Sequence, residues 1–167
     1  MNDEIMLNAR KFYKLKNLIR YNNSMRIKDE SVLEHTAMVS LVVLDLFRIY
    51  KFDRLKALKM ALVHDLPECE TSDIPFNVKA RFPKIKDAVN DAELDVCSDF
   101  SWNISGILSL LDEDCVESTI LKLADVINCE VYAANEVSLG NSTMKKILQE
   151  SRERISILTD ELKEFER

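Results

Sequence analysis

The chain has 167 residues, 47% hydrophobic and 31% charged, with only two glycines and three prolines. That size and composition fit one domain spanning 1–167 with a substantial core, and so few backbone breakers predict an all-α fold. A net charge of −6 argues against a long nucleic acid as partner, which needs several cations on one face; a small phosphorylated ligand stays open.

Taken in order, Ile5, Leu7, Phe12, Leu15, Leu18 and Ile19 recur at helical spacing, which predicts a first helix over about 4–21. Arg20-Tyr21-Asn22-Asn23-Ser24 favours a turn there. Asp29-Glu30-Ser31 reads as the N-cap region of a second helix, roughly 32–50, with His35 in its first turns. This helix is apolar almost all round from Ala37 to Phe47, a pattern that belongs at the centre of a domain.

A third helix, about 54–65, places Leu55, Leu58, Met60, Ala61 and Leu62 inward and ends at His64-Asp65, since Pro67 cannot comfortably continue it. Glu68 to Pro75 reads as a short turn and an irregular loop, followed by the basic run Lys79, Arg81, Lys84 and Lys86. Helices follow at about 84–100, 103–112 and 116–138, the last closed by Leu139-Gly140-Asn141. The final helix carries Met144, Leu148, Ser151, Ile155, Leu158, Leu162 and Phe165 in a stripe. Such a stripe either packs on its own domain or seats a second copy of the chain, so a homo-oligomer stays open.

Cys69, Cys97, Cys115 and Cys129 form no Cys-x-x-Cys pair, so they read as free thiols rather than as a zinc ribbon. The start of the chain is acidic and lacks a cleavage-site pattern, and the longest apolar run, Ala37 to Leu44, is too short to span a bilayer. The expectation is a cytoplasmic protein without a membrane partner.

The chemistry gathers around few residues. The chain has two histidines, His35 and His64, each beside an acid. Asp125 interrupts the apolar segment Ile120-Leu-Lys-Leu-Ala-Asp125-Val-Ile. A buried carboxylate must be paired, hydrogen-bonded or metal-bound, because burying it alone costs several kcal/mol, roughly 3–5. His35, His64, Asp65 and Asp125 are therefore read as one site for a single divalent transition metal (Co, Mn, Zn, Fe or Ni), which would lower the pKa of bound water. Glu68 lies three and four residues beyond Asp65 and His64, on the same side if the helical course persists, and suits a general acid or base. Arg20 suits a phosphate.

Glu34-His35, His64-Asp65 and Asp125 resemble the H…HD…D signature of HD-domain metal-dependent phosphohydrolases. The similarity covers most of the chain and is nearest to the small bacterial 5′-deoxynucleotidases. Their arginine–aromatic pair is matched by Arg20-Tyr21, and their His-Asp-x-x-Glu-x-x-x-Gly-Asp-[Leu/Ile]-Pro segment by His64 to Pro75. Lys122-Leu-Ala-Asp125 and Glu136-Val-Ser-Leu-Gly140-Asn141 resemble two further patterns. The resemblance implies a single HD-domain helical bundle in which the four ligands hold the metal, Glu68 transfers a proton and Arg20 binds phosphate. It further implies Asp73 near the leaving group or sugar hydroxyl, Tyr21 against the sugar and base, and Lys79 and Lys122 on phosphate. Two departures stand out: Tyr21 replaces a tryptophan, and Ser72 stands where glycine precedes the aspartate.

The expected function is hydrolysis of deoxynucleoside monophosphates. A related phage-type branch that removes triphosphate from deoxynucleoside triphosphates shares nearly all these motifs. A catalytically silent nucleotide-binding module is a rival of another class, disfavoured by the presence of Glu68 and Asp73; a metal-free helical interaction protein is a third.

Overall fold

The computed structural model describes residues 3–165, so the first two and last two residues of the expected domain lie outside the described residues. The principal helices are α1 (Asp3–Lys14), α2 (Val32–Leu46), α3 (Arg54–Val63), α4 (Glu68–Thr71), α5 (Phe76–Arg81), α6 (Pro83–Ser98), α7 (Ile104–Leu108), α8 (Val116–Ser138) and α9 (Lys145–Phe165). No strand accompanies them among the described residues beyond one isolated bridge, Ile19 with Ser31. The all-α expectation holds.

The core explains which helices can present side chains to a common point. Val39, Val43 and Leu46 of α2, Ala57, Met60 and Ala61 of α3, Ile120, Leu123 and Ala124 of α8, and Leu158 and Leu162 of α9 form one buried cluster. The centre of the bundle is α8, packed on α9, α2 and α3. A second cluster, with Leu15, Val32, Val63, Leu66, Cys97 and Phe100, joins α1, the turn after α3, and α6. Part of the α9 stripe packs within this chain: Met144, Ser151, Leu158 and Leu162 are buried, Leu148 and Ile155 half-buried, and Phe165 exposed. All four cysteines are free, two buried and two half-buried, as expected.

Several sequence expectations change. The first helix stops at Lys14, not near Tyr21. The backbone of residues 15–20 is claimed instead by long-range pairing, in which Val32 N–H donates to the Leu18 carbonyl (2.9 Å), Leu33 N–H to Leu15 (3.2 Å) and Arg20 N–H to Glu30 (2.9 Å). Side-chain periodicity there continues a helical pattern that the backbone does not follow. The segment after His64 is also more helical than expected, with α4 and α5 formed on either side of the Ser72–Pro75 loop.

The apolar helix α2 is central on one face only. Met38, Leu41 and Leu44 stay exposed, Leu41 by 62%. On α3 the buried stripe is Ala57, Met60, Ala61 and Val63, which leaves Leu55 and Leu62 exposed. Among the described residues no helix is long and apolar enough to cross a membrane.

Candidate metal centre

Local sequence fixes where each histidine sits. Ser31 caps α2 in a reciprocal box: its hydroxyl accepts from Glu34 N–H (3.2 Å), while the Glu34 carboxylate accepts from Ser31 N–H (2.8 Å). Glu34, the acid beside His35, is thereby a capping residue. The box starts the helix so that His35 falls on its inner face, wholly buried. His64 terminates α3, and its Nδ1 lies 2.7 Å from the Ala61 carbonyl. That carbonyl can only accept, so Nδ1 carries a proton and Nε2 is the ring nitrogen turned toward Asp65 and His35.

Four donor atoms then converge. His35 Nε2 lies 3.2 Å from His64 Nε2, 3.2 Å from Asp125 Oδ1 and 3.5 Å from Asp65 Oδ2, and His64 Nε2 lies 3.2 Å from Asp65 Oδ2. Ligand atoms of His35, His64 and Asp125 all lie within 4.8 Å of one another. His35, His64 and Asp125 form a compact set of two imidazole nitrogens and one carboxylate oxygen that suits a borderline divalent ion, while Asp65, expected as a fourth ligand, touches both imidazoles but lies outside that set. The residues fit the metal that the sequence implies.

Electrostatics match the geometry. Burial, which alone would lower the His64 pKa, is outweighed by Asp65 and Asp125, and the imidazole is pushed up to about 9. Asp65 is held below the ordinary carboxylate range: burial opposes this, but His64, His35 and Arg20 win. Asp125, whose side chain is 40% exposed and so less buried than its apolar segment suggests, is lowered too, against partial burial, by His35, Arg20 and His64. Arg20 sits over the cluster with its guanidinium 3.5 Å from Asp65, 4.0 Å from Asp125 and 3.7 Å from Glu30.

Glu68 opens α4 next to the cluster, buried, with one carboxylate oxygen lacking a hydrogen-bond partner among the described residues. It makes no capping bond. Burial first, then Asp65 and Asp73, pushes its carboxyl up to about 9, so it holds a proton at neutral pH. Asp73 is raised mainly by burial, and its carbonyl accepts from the Asn22 side chain (2.8 Å), which ties its loop to the turn after Arg20. Ser72 takes φ 66° and ψ 158°, a conformation natural to glycine. The loop thus keeps a glycine-type backbone although serine stands in it.

Tyr21 lies beside Arg20 but is largely occupied. Its ring stacks on Tyr132 at 4.6 Å between centroids, and its buried hydroxyl faces the Cys129 thiol. It too has positive φ, 54°. Lys79 is half-buried, and its charge is felt by Glu68, Asp73 and Glu93. Lys122 is exposed, one turn before Asp125 on α8. Of the basic run, Arg81, Lys84 and Lys86 are solvated.

Five residues near the cluster escaped the sequence reading. Glu30 contacts both Arg20 and Asn128, and Asn128 in turn contacts His35. Cys129 lies 3.9 Å from both Asp125 and Arg20, its thiol pushed up to about 12 chiefly by burial. Tyr132 backs Tyr21, and Glu93 of α6 is raised mainly by burial, partly by Asp65. A signal for Asn128 existed: a second polar residue one turn after Asp125 in the same apolar helix.

The loop before α2 is clamped from α8. Buried Glu136 accepts from Ile27 N–H, Lys28 N–H and the Asn141 amide, each at 2.7 Å. Asn141 also donates to the Met25 carbonyl (2.8 Å) and Tyr132 to the Lys28 carbonyl (2.7 Å).

Residues 9–166 match the sequence profile of the family described as 5′-deoxynucleotidase YfbR-like. No curated protein sequence matches the chain significantly. Among solved structures, the PH0347 protein of Pyrococcus horikoshii OT3 is similar with a TM-score of 0.80 and 25% identity, over 96% of this chain and 95% of that one. An HD-domain phosphohydrolase from Listeria innocua (lin2634) gives 0.79 and 19%, over 96% and 85%. The cyanophage S-2L HD phosphohydrolase DatZ, bound to dA and one catalytic Zn2+ ion, gives 0.66 and 17%, over 92% and 91%.

Proposed function

Because the chain belongs to the 5′-deoxynucleotidase YfbR-like family, we propose that it hydrolyses the 5′ phosphate ester of deoxynucleoside monophosphates. It is an HD-domain phosphohydrolase acting on nucleotides. The observation that carries the finer reading is the convergence of His35, His64, Asp65 and Asp125 next to a buried, protonated Glu68.

When bound, a divalent ion at these four residues supplies Lewis-acid polarisation of a phosphoryl oxygen and a lowered pKa for water. The rest falls to the chain. Arg20 already spans Asp65 and Asp125, so its guanidinium can hold phosphate oxygens beside the ligands in a bidentate way. Glu68 holds a proton at its carboxyl and can deliver it to the 5′ oxygen as that oxygen leaves, or take one from the attacking water. Asp73, on the loop tied to Asn22, is assigned to the leaving group or the sugar hydroxyl, and Tyr21 to the sugar and base. The dA and Zn2+ held by the cyanophage protein support a deoxynucleoside and a metal together on this fold.

A second reading, release of tripolyphosphate from a deoxynucleoside triphosphate, is favoured by Lys79, a half-buried cation in the field of Glu68 and Asp73. The longer phosphate tail would reach Lys79 and Lys122. Incubation with Co2+ or Mn2+ and deoxynucleoside mono-, di- and triphosphates, beside their ribose forms, separates the two. Orthophosphate from the monophosphates is expected. Intact tripolyphosphate would replace the proposal with the second reading. Equal rates on ribose forms would remove the role of Tyr21, and no hydrolysis with either metal would leave a silent binding module.

A further inference from the structure

His35 can ligate an ion through Nε2 only when its single proton sits on Nδ1. What faces Nδ1 therefore decides whether the site is ready. That neighbour is Asn128, 2% exposed, whose Nδ2 lies 2.8 Å from His35 Nδ1 and 2.9 Å from Glu30 Oε1. With both amide hydrogens so directed, His35 Nδ1 accepts. The ring proton is then on Nε2, where Asp125 Oδ1 receives it at 3.2 Å. This arrangement satisfies both Asn128 amide hydrogens and both His35 ring nitrogens without an ion, but the Nε2 lone pair is blocked.

Turning the carboxamide over reverses the outcome. Asn128 Oδ1 would accept from Nδ1–H, and Nε2 would present its lone pair to the cluster. The same turn brings an amide oxygen against Glu30 Oε1, acceptor against acceptor, unless Glu30 moves toward Arg20, whose Nε already lies 3.7 Å from Oε2. His64 has no such choice, because the Ala61 carbonyl fixes its Nδ1–H form.

We propose that Asn128, held by Glu30, is the positioning residue that selects the tautomer of His35, and that metal binding is coupled to reversal of its carboxamide. The proposal rests on the cluster being the metal site described above. Because His35 and His64 are the only histidines in the chain, nitrogen-15 NMR of the imidazoles reports each tautomer directly. In the metal-free protein His35 is expected as Nε2–H and His64 with a proton on Nδ1 and, below its raised pKa of about 9, a second one on Nε2; after addition of Zn2+ both are expected as Nδ1–H with Nε2 ligated. Asn128→Asp, an obligate acceptor, should show Nδ1–H at His35 without metal and keep Zn2+ affinity. Asn128→Leu, of similar volume and no polarity, should lose the tautomer bias at metal-free His35, with an unchanged circular-dichroism spectrum. A His35 already Nδ1–H in the metal-free wild type would overturn the proposal even if neither variant folded. A metal-free Asn128→Leu protein that keeps His35 as Nε2–H would overturn it while leaving the metal site intact. A wild-type protein that takes up no Zn2+ at the histidines would overturn both.

Discussion

Replacing Glu136 by Gln tests whether the clamp on the loop before α2 holds the site together. The carboxylate receives three N–H donors at 2.7 Å from a fully buried position. Glutamine keeps one oxygen, which can serve Ile27 and Asn141, but sets an NH2 group against the Lys28 N–H. One charged hydrogen bond is lost, a buried donor is left unsatisfied and two others lose charge assistance, which together cost about 2–4 kcal/mol. For a chain of this size that lowers the melting temperature by roughly 5–15 °C. The loop leads into Glu30, the Ser31 cap and His35, so Zn2+ affinity should fall as well. The pH dependence carries a sign. Burial alone would raise the Glu136 pKa, but hydrogen bonds from Asn141, Ile27 and Lys28 outweigh it and hold the carboxyl below its ordinary value. Its contribution is therefore present above that ordinary value and lost as pH falls through the lowered one, so the gap between wild type and Glu136→Gln should narrow in acid. Calorimetric melting at pH 7 and below, with hydrogen exchange at Ile27 and Lys28, measures this. A variant that melts within about 2 °C of wild type, with both amides still protected, would refute the clamp.

His35→Ala and Asp125→Asn should lower metal content and turnover together, by at least the 10–100-fold or so that loss of a supporting partner costs; full occupancy by elemental analysis with normal turnover would dissolve the site. Glu68→Gln should retain metal while turnover drops on the order of 10²–10⁴-fold, and wild-type rates would send the proton elsewhere. The same variant has a stability signature in metal-free protein. The unfolded chain loses the Glu68 proton at the ordinary carboxylate pKa, the folded one only at about 9, so wild-type stability falls with rising pH between them, by on the order of 1 kcal/mol per unit. Urea melts in chelator at pH 5 and 8 should show Glu68→Gln gaining over wild type, and a constant difference would contradict a buried, protonated Glu68. Ser72→Gly relieves a side chain at φ 66° and should stabilise by about 1 kcal/mol with activity kept; a loss of stability would mean that the Ser72 side chain makes a contribution exceeding its strain.

The sequence alone determined the class of fold and singled out the candidate site residues. Scarce glycine and proline left long stretches free to be helical, and two histidines beside acids, with one aspartate in an apolar run, stood out as the residues able to share one site. Helical register sets Asn128 and Cys129 on the same side of α8 as Asp125, a signal the reading of the sequence did not use. Their partners were beyond its reach. Residues 15–20 carry a helical pattern, yet their backbone pairs with residues 30–33, because a long-range hydrogen bond leaves no mark on local side-chain spacing. Glu30 looked like part of a cap until folding set it against Asn128, 98 positions away, and Glu136 was one member of a pattern until the loop at Ile27 and Lys28 closed on it. Burial raised the Glu68 pKa and removed water from both ends of these contacts. That desolvation exists only once α2, α3 and α8 are packed, which is why the tertiary structure, and not the order of residues, decided what each polar group does.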